Sequence, residues 1–262
     1  MNILRIIFII LLYSINMKAF SIDKIYIDFQ NRPPFFEINS LSNKLDEGIL
    51  YKLTKKICEK AKIPIEFAET PLPRTISRIK DQKERVCFSY ALDDPTRKEF
   101  SYISLPYFQE KRNVVVFRKN DLKIPKIKTM KSLLEDKNIT LLIKRGYSYG
   151  MYIDKLLFEI IGYSKNQNYE NETQFKQIYI TYLDNVNMLK QIELNRSDYM
   201  ILSLTEYEYL SKQNKNTVKH LNYKYLDDLK EGYKRFFVCS KLIETDTIEK
   251  LNKSIINTVG KL

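Results

Sequence analysis

The turn Lys144-Arg145-Gly146-Tyr147-Ser148-Tyr149-Gly150 gathers residue types that suit a small anion: two cations, a hydroxyl and amphipathic rings between glycines. It sits between an apolar strand run and a helical pattern, and the start of a helix presents unpaired N–H groups and the positive end of a dipole. Ser148 is the expected hydroxyl donor, with Tyr147 and Tyr149 as flat walls. Other chemistry-bearing types are sparse. His220 is the single histidine, which excludes a multi-histidine metal site. Cys58, Cys87 and Cys239 have no metal-ligand spacing, and each falls among apolar residues of a helix or strand. One disulfide can be drawn from them, but three buried thiols are the expectation. The sequence displays no positioned acid and base of the kind proton-transfer catalysis needs. No cofactor and no enzymatic activity are expected.

Short apolar strands alternating with amphipathic stretches must position these residues. Strands are predicted at Lys24–Phe29, Pro64–Phe67 and Arg85–Tyr90, with helices at Gly48–Ala61 and Pro73–Asp81. In the first helix Ile49, Leu50, Leu53, Ile57 and Ala61 recur at helical spacing, so one stripe faces a sheet. Asn113–Phe117 is a further β run, followed by a charged, proline-containing stretch to Lys128 where the chain is expected to cross between lobes. A second series places strands at Ile139–Ile143, Gln177–Thr181 and Tyr199–Leu202, and helices at Gly150–Ile161, Asn185–Leu194 and Leu204–Lys212. A strand at Arg235–Ser240 and a helix at Ile243–Val259 close the chain. The alternation argues for an α/β protein of βαβ units, with helices on the faces of parallel sheets.

The first 19 residues carry only Arg5 and Lys18 around an eight-residue apolar run, Ile6–Tyr13, and end in the small residue Ala19. That is the pattern of a secretory signal, and the run is too short to cross a bilayer as a helix. Export to the periplasm with cleavage near Ala19 is expected, and no cysteine lies near the cut to carry a lipid. The chain has 262 residues and a net charge of +12. Its lysines are spread along the length without a clustered stripe, so no nucleic-acid partner is expected.

The segment Asp94-Pro95-Thr96-Arg97, then six residues, then Ser104-Leu105-Pro106-Tyr107 resembles the signature of family 3 bacterial extracellular solute-binding proteins, the periplasmic amino-acid-binding type. Arg32-Pro33-Pro34-Phe35, Gly48, Pro73-Arg74 and Asn195-Arg196-Ser197-Asp198 fall in the family's order around it. The resemblance implies a type II, two-lobed clamp, each lobe a mostly parallel sheet flanked by helices, with a ligand held in the cleft. It places residues 20–117 and 232–262 in the first lobe and residues 118–231 in the second. It implies that Arg97 grips a ligand carboxylate, and a guanidinium offers the planar fork for that contact. Arg32, Phe35, Arg74, Tyr90, Tyr147, Ser148, Tyr149 and Ser203 complete the expected ligand-binding set. It further implies a monomer that delivers a small solute to the inner-membrane permease of an ABC transporter.

Departures from the family pattern narrow the ligand. Arg32 stands where an aromatic often stacks, and Ser203, five residues after Asp198, stands where an aspartate usually meets the ligand's α-amine. A buried ammonium needs a negative or strongly accepting partner. Glu37, Asp93 and Glu206 are the acids that could substitute; without one, the three arginines Arg32, Arg74 and Arg97 suit an acidic or amine-free ligand. Two other classes compete with solute binding: a dehydratase-like enzyme on the same clamp, and a basic module that binds polyanions.

Overall fold

Runs of apolar residues long enough to be covered on both sides, alternating with one-sided amphipathic stretches, sort the chain into two helix-flanked sheets. The computed structural model describes residues 24–165, 167, 175–229 and 231–262; the expected export signal lies outside them. The first lobe begins with β1 (Ile25–Phe29), a small hairpin of β2 (Glu37–Asn39) and β3 (Lys44–Glu47), and helix α1 (Ile49–Lys60). It continues through β4 (Ile65–Glu69), α2 (Leu72–Asp81), β5 (Val86–Ala91), a 3-10 turn at Pro95–Arg97, β6 (Ser101–Ile103) and β7 (Phe108–Gln109). The second lobe runs through β8 (Asn113–Arg118), α3 (Met130–Glu135), β9 (Leu141–Lys144) and α4 (Met151–Leu156), which passes into a π-helical turn at Leu157–Ile161. It ends with β10 (Ile178–Thr181), α5 (Asn185–Glu193), β11 (Tyr199–Ser203), α6 (Leu204–Gln213), α7 (Lys215–Val218) and β12 (Leu221–Lys224). Then β13 (Lys234–Ser240) and α8 (Thr245–Val259) close the chain in the first lobe.

Each sheet has a parallel core of three strands, β4-β1-β5 and β10-β9-β11, extended by antiparallel strands. The sheets are thus mixed, and the antiparallel members are the crossing strands. β13 pairs antiparallel with β5, β6 and β7, while β8 pairs antiparallel with β11 and β12. The run at Asn113–Arg118, assigned from sequence to the first lobe up to residue 117, therefore belongs to the second sheet. The crossing comes before it, near Glu110, whose N–H donates to the Tyr233 carbonyl of the returning strand at 3.0 Å.

Strand alternation accounts for the second lobe's two cores. Val115 and Phe117 of β8, with Tyr199 and Ile201 of β11, enter the core beneath α3 and α4. Val114, Val116, Met200 and Leu202 point to the opposite core, beneath α5 and α6. In α1 the buried stripe is Leu50, Thr54, Ile57 and Cys58, so Ile49 is left 42% exposed, contrary to its place in the predicted stripe. Ser254 of α8 donates to the Ile57 carbonyl at 2.7 Å and ties α8 to α1.

The cysteines correct the expectation of three free thiols. Cys87 of β5 and Cys239 of β13 form a disulfide, and only Cys58 is free and buried. The antiparallel register of the two strands sets these residues directly opposite, with Cα atoms 4.0 Å apart, although 152 positions separate them in sequence.

Candidate functional site

The carboxyl ends of the parallel strands β1, β5, β9 and β11 all lead into the seam between the lobes, the place where α/β sheets receive ligands. Gln30 and Arg32 follow β1, Tyr90 is the penultimate residue of β5, the 144–150 turn leads out of β9, and Ser203 ends β11 and caps α6.

Arg32 crosses the seam. Its Nε and Nη2 donate to the two carboxylate oxygens of Glu206 in α6 at 2.7 and 2.8 Å. The guanidinium lies over the Tyr90 ring at 4.8 Å and the Tyr147 ring at 5.6 Å, one ring from each lobe. Glu206, 1% exposed, also accepts from Asn185 Nδ2 at 2.9 Å and from Ser203 Oγ at 3.3 Å. Burial alone would weaken the Arg32 charge, but the Glu206 carboxylate together with Tyr90 and Tyr147 outweighs it and holds the guanidinium protonated. Tyr147 adds a second crossing contact, donating its hydroxyl to Gln30 Oε1 at 2.5 Å.

Beneath Arg32 lies a second cation. Arg235 donates from Nε to Glu110 Oε1 at 2.8 Å and from Nη2 to the Tyr90 hydroxyl at 3.2 Å, and that hydroxyl donates to Glu110. Its guanidinium sits 3.9 Å from the Tyr90 ring centroid. Burial raises the Tyr90 phenol well above its ordinary value, so the hydroxyl stays a donor. Between these groups remains a cavity of about 40 Å³ lined by Arg32, Glu110, Ser203, Glu206, Tyr233 and Arg235, room for roughly one to three waters. On its outer side Arg32 also lines an open groove of about 1220 Å³ with Lys144, Tyr147 and Tyr209. Lys144, Tyr147 and Asn185 line both spaces as well, so Arg32 is one part of the wall between the groove and the smaller cavity.

Arg97 stands elsewhere along the seam and in a different state. It ends the 3-10 turn that Asp94 caps by accepting from Thr96 N and Oγ1 at 3.1 and 2.7 Å. The Arg97 side chain is 12% exposed, yet its closest carboxylate oxygen is Asp94 Oδ2, 3.7 Å away. Among the described residues its guanidinium donates no hydrogen bond. Burial pulls its affinity for a proton below the ordinary value, with Asp94 opposing. Arg97 faces a cavity of about 290 Å³ whose walls include Asp94, Thr96, Ser148, Asp154, Tyr163 and Lys165.

The structure brings Arg32, Tyr90, Tyr147, Ser148, Tyr149 and Ser203 to the seam, and Arg97 beside them. It corrects several expected roles. Phe35 is fully buried in the first core, backing Tyr90 at 4.8 Å between ring centroids, because the chain after β1 turns inward there. Arg74 is exposed on α2, whose buried face is formed by Thr75 and Ile79. One turn later it is Arg78 that reaches a carboxylate, that of buried Asp28. The 144–150 turn satisfies much of its own backbone: Arg145 N donates to the Thr181 carbonyl, Tyr147 N to the Lys144 carbonyl and Tyr149 N to Asp154 Oδ1. Ser148 Oγ donates to Asp154 Oδ2 at 2.5 Å, and the Tyr149 hydroxyl accepts from Lys144 N at 2.8 Å. Gly150 has φ +94, and a Cβ there would meet the Tyr233 ring at about 2 Å, so the two lobes touch through its missing side chain. Ser203 caps α6 by accepting from Glu206 N, and Glu206, three residues on, brings a carboxylate to the seam. Glu110 and Arg235 escaped the sequence reading. The available signal was an arginine followed by the apolar run Phe236–Cys239.

No family profile matches the chain, and no curated protein matches it. Solved structures do. An ancestral arginine-binding protein bound to arginine is 19% identical, with a TM-score of 0.63 over 89% of this chain and 91% of that one. A histidine kinase sensor domain with similarity to periplasmic binding proteins is 13% identical, with a TM-score of 0.66 over 89% of each chain. A chain described with glutathione import via GshT and the cystine ABC importer TcyBC of Streptococcus mutans is 14% identical, with a TM-score of 0.66 over 89% of this chain and 87% of that one. The likeness is one of fold, and it agrees with the resemblance carried by the motifs around Arg97. With its two mixed sheets, double crossing and strand ends converging on one seam, the chain has the α/β, two-lobed fold of the periplasmic binding proteins.

Proposed function

We propose that the protein is an exported solute-binding protein that captures a small carboxylate-bearing solute between its lobes and delivers it to the permease of an ABC transporter. It works as a monomer, without a cofactor and without chemistry of its own. The observation that carries this reading is Arg97: a largely buried guanidinium with no hydrogen-bond acceptor among the described residues, facing a cavity of about 290 Å³. A buried charge without hydrogen-bonded partners is costly, and a bidentate carboxylate is the group that best fills a guanidinium's fork. The volume suits a small metabolite rather than a polymer. Arginine and glutathione, named with the solved structures of this fold, both carry carboxylates.

A thermal-shift screen of amino acids, dicarboxylates, opines and sugar acids identifies the ligand, because a compound that binds only the folded state stabilises it by mass action. Calorimetry on Arg97→Ala then tests the site. Loss of one side of a desolvated charged pair costs about 2–5 kcal/mol of binding, some 30-fold to several thousand-fold in affinity. Undiminished affinity in Arg97→Ala would remove the reading's support.

A further inference from the structure

We infer that Arg32 is a tethered ligand: its guanidinium occupies a cation-binding subsite built around Glu206 and latches the two lobes together without any solute. The subsite has the parts a receptor for a free guanidinium would need. Glu206 is 1% exposed and offers both oxygens in a fork, to Nε at 2.7 Å and Nη2 at 2.8 Å. Asn185 and Ser203 donate to the same carboxylate and fix its orientation. Tyr90 and Tyr147 present ring faces to the cation from opposite lobes. A bidentate, charge-assisted pair with one fully desolvated partner is far stronger than an ion pair between two solvated side chains.

The occupant comes from the first lobe and the receptor from the second, so the contact exists only while the seam is closed. Arg32 precedes Pro33 and Pro34, and proline's fixed φ leaves this part of the chain few ways to withdraw the side chain. Two consequences follow. The empty clamp rests closed, and solutes that offer an ammonium or guanidinium to Glu206 must displace a partner whose effective concentration is set by its covalent tether. The inference concerns closure in the absence of solute and does not depend on which ligand Arg97 receives.

The test compares wild type, Arg32→Ala, the double variant R32A/E206Q and the charge-free double variant R32M/E206Q, all without added solute. Small-angle scattering is expected to show compact wild type and an increased radius of gyration for the variants. Ethylguanidinium, which replaces the atoms Arg32→Ala removes, is expected to return Arg32→Ala to the wild-type radius. It should also raise the melting temperature of that variant by roughly 5–10 °C at a hundredfold excess over its Kd. Wild type and R32A/E206Q should show neither response. An Arg32→Ala protein as compact as wild type overturns the latch, and equal rescue of R32A/E206Q overturns Glu206 as the receptor. If the charge left on Glu206 prevents Arg32→Ala from folding, R32M/E206Q decides alone: an expanded, cooperatively melting protein supports the latch, and a compact one ends it.

Discussion

The two stretches of the interlobe seam handle buried guanidinium groups in opposite ways. Arg32 and Arg235 each have a carboxylate within hydrogen-bond distance, and what remains between them is a cavity of about 40 Å³. Around Arg97 the closest carboxylate oxygen is 3.7 Å away, and a cavity of about 290 Å³ lies open before it. Residue type alone does not separate the two. The difference is in satisfaction: Arg32 and Arg235 spend donors on carboxylates, and the Arg97 guanidinium donates no hydrogen bond among the described residues.

The sharpest break of this contrast comes from truncating one arginine on each side. Arg235→Ala strands Glu110, 5% exposed, without its ion-pair partner, and should destabilise the protein by about 3–5 kcal/mol in urea unfolding. Arg97→Ala removes a largely buried cation that donates no hydrogen bond among the described residues, so it should leave stability unchanged or raise it, its loss appearing in binding. Equal losses of stability would erase the distinction. Replacing Cys87 and Cys239 by alanine should cost about 2–4 kcal/mol while leaving ligand affinity intact, since the disulfide lies between β5 and β13 and lines neither seam cavity.

High pH probes the buried tyrosines of the seam together with those of the cores, such as Tyr107 and Tyr199, whose phenols burial also raises. Burial raises the Tyr90 and Tyr149 phenols, and the Tyr233 phenol is pushed up to about 12. Their folded-state pKa values exceed the unfolded value of 10.0, so the unfolded chain gives up protons that the native state keeps. The stability these rings contribute is fully present below pH 10 and is lost as pH climbs toward the folded values, by at most about 1.4 kcal/mol per pH unit for each tyrosine. The urea midpoint should fall steeply above pH 10, and replacing Tyr233 by phenylalanine should make that fall shallower. The smallest effect expected is that of Tyr209→Phe, which removes a hydrogen bond of 2.7 Å to Glu37 across the mouth of the groove. Its cost of about 0.5–1 kcal/mol should accompany a slightly more open solution structure.

Local pattern made much of the architecture legible. The helices α1 and α8 and the apolar runs of β1, β5, β8, β9 and β11 follow from local pattern, although the buried face of α1 leaves out Ile49, and the motif around Arg97 led to the seam. What the sequence concealed is pairing at a distance. Strand β8 reads as a strand wherever it goes, but which sheet it joins depends on partners at β11 and β12, about a hundred residues further on. The Arg235–Glu110 pair and the Cys87–Cys239 bond are hidden for the same reason. Arg74 was misplaced by a helical turn: on α2 the residue that reaches inward is Arg78. The hairpin of β2 and β3 and the short strands β6 and β7 are too brief for alternation to show.

The Cys87–Cys239 bond has a topological consequence for the second lobe. The chain leaves the first sheet after β7 and returns with β13, so the entire second lobe hangs inside one covalent ring closed between β5 and β13. A protease that cuts once anywhere inside that ring leaves the fragments joined, and they separate only under a reductant. Tension applied to the two ends of the chain is carried across the bond and never enters the ring. The second lobe thereby stays attached after a single cut and carries no load between the chain ends, joined to the first lobe by the two crossing strands.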